Sequence, residues 1–160
     1  MRLVALVALA ASSVLTVSEL SAQAKASFAG TWTRVDDSAN PPPIGQGGLG
    51  ASLKIDQDAK ALTITRSTQT GESKSVYNLD GTESKNTIGG RSGARYEAVS
   101  RTRWDANKLV ITTNLNYDGN TIENSLTMSL DASGNLLVES TSPNRVGGAA
   151  TTTKSIYKKG

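Results

Sequence analysis

One pattern recurs through most of this chain and leaves it few folds to choose from: an alternating apolar and polar run, a short turn built on Asp, Asn or Gly, and a second alternating run. Alternation of period two marks a strand with one buried face, and two such runs across a tight turn read as a β-hairpin. Leu53 and Ile55 lead through Asp56, Gln57, Asp58 and Ala59 into Leu62 and Ile64, and Tyr77 and Leu79 lead through Asp80-Gly81 into a polar stretch. Trp104 leads through Asp105, Ala106 and Asn107 into Leu109 and Ile111. Leu115 leads through residues 117–120 into Ile122, Leu126, Met128 and Leu130, and Leu130 leads through residues 131–135 into Leu136 and Val138. Asp-Gly tolerates the positive φ angles of hairpin turns whose twist matches that of strands. A first strand covers residues 27–35, with Phe28, Gly30 and Trp32 on one face, and a last strand covers 151–159 after the Gly147-Gly148 loop.

Eight to ten strands in chain order, with no helical period of useful length, make an antiparallel meander. Closing the meander removes the two exposed edges of a flat sheet, so the expected fold is a single all-β, up-and-down β-barrel spanning residues 25–160. Its inward set is Phe28, Trp32, Leu53, Ile55, Leu62, Ile64, Leu79, Trp104, Leu109, Ile111, Leu126, Met128, Leu136 and Val138. Residues 36–50, with Pro41-Pro42-Pro43 and glycines at 45, 47, 48 and 50, form a loop over one end. An outer-membrane barrel would need a lipid-facing apolar band and aromatic girdles, and most strands here carry Ser, Thr, Lys and Glu on one face instead.

Residues 1–24 pose a separate physical problem. Met1 and Arg2 give a short positive start, residues 3–17 are an apolar run relieved by Ser12, Ser13 and Thr16, and Ala22-Gln23-Ala24 is a small-x-small cleavage site. The run is short of the ~20 residues that span a bilayer. The expectation is a signal peptide removed after Ala24, leaving Lys25 first in a periplasmic or secreted domain, with no Cys at which a lipid could be attached.

Composition then excludes chemistry. The 160 residues include neither Cys nor His, so there is no thiol nucleophile, disulfide, imidazole base or zinc site of the usual kind. No cofactor is implied. A net charge of +3 with few aromatics lacks the concentrated basic face of a nucleic-acid binder. Paired carboxylates remain as hydrolytic machinery, but Asp56, Asp58, Asp80, Asp105, Asp118 and Asp131 sit in turns, where Asp bonds the backbone. Glu97, Glu123 and Glu139 stand on three different strands, so no catalytic pair and no enzyme is expected.

The segment Phe28-Ala29-Gly30-Thr31-Trp32 resembles the opening of the calycins, the lipocalins and fatty-acid-binding proteins, which are ligand-holding barrels. The closing segments at residues 136–139 and 153–159 resemble the last hairpin of a fatty-acid-binding protein. The resemblance implies a Tyr on the last strand, matched by Tyr157, and an Arg two places earlier for a ligand carboxylate, where this chain has Ser155. It also implies a helical lid, replaced here by the Pro and Gly loop. The mature chain is similar as well to small exported bacterial proteins with a Gly-Thr-Trp start and Trp-Asp and Leu-Asp-Gly turns.

Two constellations are candidates for function. Along residues 94–104 one face carries Ala94, Tyr96, Ala98, Ser100, Thr102 and Trp104, and its middle residues are too small to fill a barrel interior. Either Trp32 and Trp104 close that volume as core, or the space is a ligand pocket lined by Trp32, Tyr96, Ala98, Ser100, Thr102, Trp104 and Tyr157. The other face carries Arg95, Arg101 and Arg103, with Arg91 close by: a solvated surface, or a stripe for an anionic partner. With those arginines outward and Ser155 in place of the Arg, little preference is expected between a fatty acid and its neutral alcohol. The leading expectation is an exported, non-enzymatic barrel that binds a small apolar or amphiphilic ligand. A cavity-free envelope interaction module is the alternative, and a carboxylate-based hydrolase the third.

Overall fold

Ten strands follow one another in the computed structural model, which describes residues 25–35, 49–68, 71–89, 93–117, 119–143 and 149–160. They are β1 (Gly30–Val35), β2 (Ser52–Gln57), β3 (Ala61–Thr68), β4 (Gly71–Asn78) and β5 (Ser84–Gly89), then β6 (Arg95–Asp105), β7 (Lys108–Tyr117), β8 (Asn120–Leu130), β9 (Leu136–Ser142) and β10 (Thr151–Lys159). The order round the sheet is β4-β3-β2-β1-β10-β9-β8-β7-β6-β5, every ladder antiparallel. The meander therefore closes on itself almost completely, joined through the pairing of β1 with β10. The expected leader at 1–24, most of the Pro and Gly loop, Arg91, Asp118 and Gly147-Gly148 lie outside the described residues.

Such a meander has two ends. The connections after β2, β4, β6 and β8 fall at one, here the lower end, with the segment 25–29; those after β1, β3, β5, β7 and β9 fall at the upper end. All the expected inward residues belong to one cluster. Phe28, Leu62, Leu109, Met128 and Leu136 are fully buried within it, and Trp104 and Leu126 pack against it. The cluster fills the lower half and reaches higher along β2, where Leu53 belongs to it. Phe28 turns in beneath the strands, where its N–H donates to Gln57 Oε1 (2.8 Å), its carbonyl accepts from Trp32 Nε1 (2.8 Å), and its ring stacks on Trp104 at 6.0 Å. Gly30 makes room for Lys159: a Cβ there would stand 2.6 Å from Lys159 Cε, and the backbone has φ +141. Lys159 Nζ lies 5.6 Å from the centre of the Trp32 ring, closing the same end.

One expected hairpin differs. Asp80-Gly81 forms its turn, with Asp80 Oδ1 accepting from the Thr82 N–H and hydroxyl, but no ladder joins β4 to β5. Side chains do the joining. Asn86 Oδ1 accepts from the Val76 N–H (2.8 Å) while Asn86 Nδ2 donates to the Val76 carbonyl (2.9 Å). Ser84 Oγ accepts from the Asn78 N–H (2.7 Å), and the Thr102 hydroxyl donates to the Asn78 carbonyl. Once side chains occupy the edge of β4, the backbone of β5 cannot pair with it.

Candidate functional site

The candidate face of β6 points inward, as alternation requires: Ala98, Ser100 and Thr102 are buried, Tyr96 and Trp104 partly so. Half-way round the barrel from β1, β6 places these small residues opposite Trp32 and Arg34. The seven expected lining residues do not form one constellation. Both indoles meet Phe28 in the packed lower half, Trp104 by stacking on its ring and Trp32 by donating to its backbone carbonyl. Ser100 stands higher on the wall and shares a hydrogen bond with the Thr113 hydroxyl (2.8 Å). Tyr96 sits near the upper end, and Tyr157 joins the core, its hydroxyl donating to the Gly50 carbonyl (3.0 Å).

Above the apolar cluster the inward lining changes character. Ser73 and Ser75 of β4, Thr113 of β7, Asn124 of β8, Ser140 of β9 and Ser155 of β10 share the inward faces. Ser155 is 5% exposed, and its Oγ has no partner of good hydrogen-bond geometry among the described residues, although the Tyr157 hydroxyl is near enough to interact with it. Trp104 Nε1, in the floor at the lower end of β6, is likewise unpartnered among the described residues. Buried polar atoms of this kind ordinarily find partners, so Ser155 marks a place in the upper interior where a polar atom can be received.

Two further residues complete this lining, and the expectations above omitted them. Arg34 takes the inward position next after Trp32 on β1, and Arg66 the one next after Ile64 on β3, both half-buried. Parity alone could have found them, since 34 follows 32 and 66 follows 62 and 64. Their level follows from the register. Trp32 pairs with Lys159 at the lower end of β10 and with Leu53 near the upper end of β2, so cross-strand rows rise from β10 through β1 toward β3. Barrel strands tilt ~35–45° to the axis. Arg66 lies two strands up this slant from Trp32, and Arg34 one inward step above it, which brings the two guanidinium-bearing positions to a similar level. Ser155, one inward step above the Tyr157 that pairs with Arg34, comes to nearly the same height.

The local electrostatics are consistent with a dry lower interior. Burial pushes the Tyr157 hydroxyl above its ordinary 10.0, against the opposing pull of the Arg34 charge. Burial does the same to Tyr77, with the Ser75 hydrogen bond and the Arg66 charge opposing. Outside, the β6 arginines are solvated and paired: Arg101 meets Glu83 at 2.9 Å and Arg103 meets Asp105 at 4.0 Å, all well exposed. Among the described residues no group of three metal-ligating side chains comes together.

No protein-family model and no curated protein matches the chain. Solved structures do match, among them a variant of the fluorescent protein UnaG, 20% identical, with a TM-score of 0.56 over 83% of this chain and 96% of that one. Similarity at that level identifies the fold. The ten strands, their nearly closed antiparallel order and this likeness together make the protein a calycin-like barrel.

Proposed function

We propose that this protein is an exported, non-enzymatic binding protein that holds a small apolar or amphiphilic ligand in the upper half of its barrel. The observation that carries the proposal is the change of lining: above a floor closed by Phe28, Trp32 and Trp104, most inward residues are polar or small, with Leu115 and Ile122 as an apolar patch among them, and Ser155 is buried there. A mixed wall of apolar floor and a few polar groups is the usual make-up of a small-ligand site. Export rests on the charged start, apolar run and Ala22-Gln23-Ala24 site of residues 1–24.

The test uses the two indoles as reporters, since both lie in the floor. Long-chain amphiphiles should quench or shift Trp fluorescence, and Ser100→Trp, by filling the space above, should abolish binding measured by calorimetry while the protein stays folded. Native mass spectrometry of protein from its own source should show a bound small molecule. The packing of Phe28 against Trp104 and Trp32 favours a second reading, a cavity-free interaction module in the cell envelope. No response to any amphiphile and no co-purified mass would establish that reading over ours.

A further inference from the structure

The hydroxyls of the upper interior gather at one level. The cross-strand row that starts at Trp104, at the lower end of β6, runs through Leu109, Met128 and Val138 to Ser155. Such rows rise in this direction round a tilted barrel, so Ser155 stands four strands up the slant from Trp104. Ser100, two inward steps above Trp104 on β6, reaches a similar height, and Thr113 pairs with it. Ser140, one inward step above Val138, and Ser73, paired with Arg66, continue the level on β9 and β4. Ser73, Ser100, Thr113, Ser140 and Ser155 thus form a belt of hydroxyls on five strands, with the apolar cluster beneath it. Above the belt, Ala98, Leu115 and Ile122 lie side by side across β6, β7 and β8 as an apolar patch.

We infer that the ligand is a neutral amphiphile with a polyhydroxyl head, a glyceryl or sugar ester or ether, whose head sits in this belt and whose chain runs along Ala98, Leu115 and Ile122 toward the upper mouth. This deepens the ligand-binding reading above and rests on it. A hydroxyl donates one hydrogen bond and accepts two, so the Ser100 and Thr113 hydroxyls keep capacity beyond the bond they share. Ser155 is 5% exposed, and its Oγ has no partner of good hydrogen-bond geometry among the described residues. Buried polar atoms ordinarily find partners, and an inward hydroxyl of this kind can take one from a ligand. The belt spans opposite walls, from β4 and β6 round to β10. A single carboxylate only accepts and touches one wall, whereas a polyol both donates and accepts and carries oxygens on several sides. The outward stripe of Arg95, Arg101 and Arg103 takes no part.

Glycerol 1-monododecanoate, dodecanol and dodecanoate share one chain length, and calorimetric titration of each into the full chain, below its aggregation concentration, separates the possibilities. The glycerol ester should bind about tenfold or more tightly than either of the others, as expected for additional hydrogen bonds from its head. Thr113→Val and Ser155→Ala, both close in shape to the residues they replace, should each weaken the ester by about fivefold and leave dodecanol within about twofold. Ser125→Ala, outward on β8, should change neither. In the complex, nuclear Overhauser contacts should join the glycerol protons to the Thr113 methyl and the chain methylenes to Leu115 and Ile122. Equal binding of ester and alcohol would overturn this inference and leave the ligand-binding reading standing. Tighter binding of dodecanoate would give recognition to a positive charge in place of the hydroxyls and overturn it too, as would glycerol protons at Leu115 and Ile122 with chain methylenes at Thr113. Binding of none of the three would end both readings.

Discussion

In the lower half of the barrel the inward positions hold Leu, Ile, Val, Met and aromatic rings in one buried cluster, whereas in the upper half the same strands turn Ser, Thr, Asn and Arg inward beside Leu115 and Ile122. The alternation is identical in both halves, so it fixes which residues face in but not whether they fill the space. Burial of apolar surface is the main favourable term in folding, and most of it lies below. The upper lining is thereby released from the demand of packing. That division suits a binding protein, because the part that specifies the fold need not change when a ligand arrives.

The contrast predicts unequal costs for substitutions of similar placement. Leu62 is fully buried among Tyr77, Gln57 and the rest of the cluster, and Leu62→Ala should destabilise the protein by about 2–5 kcal/mol, the range for large-to-small changes in a packed core. Ser140→Ala, inward in the upper half, should stay within about 0.5 kcal/mol. Denaturant midpoints decide this. A large loss at Ser140, or none at Leu62, would mean that the two halves do not divide stability in this way.

A smaller effect belongs to the seam between β4 and β5, the one place in the described sheet where neighbouring strand edges meet without a ladder. Asn86 supplies there the donor and acceptor that a paired strand would have supplied to Val76. Val76 is exposed, so water can replace these bonds, and Asn86→Ala should cost about 1 kcal/mol. Asn86→Asp should cost more, because its carboxylate faces the Val76 carbonyl with no donor. Amide hydrogen exchange should quicken at Val76 in both variants and stay slow at Leu109, whose strand is paired on both sides. Unchanged exchange at Val76 would show that the side-chain bridge does not hold the seam.

How much of this was legible in the sequence can be judged from particular positions. The strands and the inward set followed from period two, since Leu53 and Ile55, Leu62 and Ile64, and Leu109 and Ile111 repeat it without interruption. Arg34 and Arg66 obey the same period, but a charged residue on a strand is ordinarily read as solvent-facing, and that chemical prior outweighed their parity. The unpaired seam was not legible. Asp80-Gly81 is a sound hairpin turn, and whether the strands beyond it pair depends on Ser84 and Asn86 taking the edge of β4, which turn chemistry does not encode. The turn at Asp105 hid another feature, for Ala106 has φ 50 without being Gly or Asn. In the candidate site, parity places Ser100 and Thr102 on the inner wall, while the stacking of Phe28 on Trp104 was not legible, because it arises only when the segment 25–29 folds beneath the barrel.

The smallest expected effect concerns pH, and it sharpens the contrast between the ends. Asp58, Asp80 and Asp131 all lie in lower-end turns, and each accepts hydrogen bonds from the backbone that follows it. For Asp131 the Asn135 side chain contributes most, then the Asn135 N–H; for Asp80 the Thr82 hydroxyl, then its N–H; for Asp58 the Lys60 and Ala61 N–H groups. These bonds favour the charged carboxylate, so its pKa in the folded protein lies below the ordinary 3.8. A folded-state pKa depressed in this way contributes stability that is present above the unfolded value and is lost as pH falls through the folded one. Acidification from about pH 5 should therefore lower the denaturant midpoint, and it should do so less steeply in Asp131→Asn, which keeps an acceptor for the turn but has no proton to take up. Asp58 and Asp80 are exposed and Asp131 is only partly covered, so the difference at neutral pH should be slight. Hydrogen exchange followed through the same range should quicken first in the turns at 58–60, 79–83 and 131–135, before the paired centres of β6 to β8. Loss of protection beginning instead at the upper ends of the strands would show that the lower half is not the more firmly held part of the barrel.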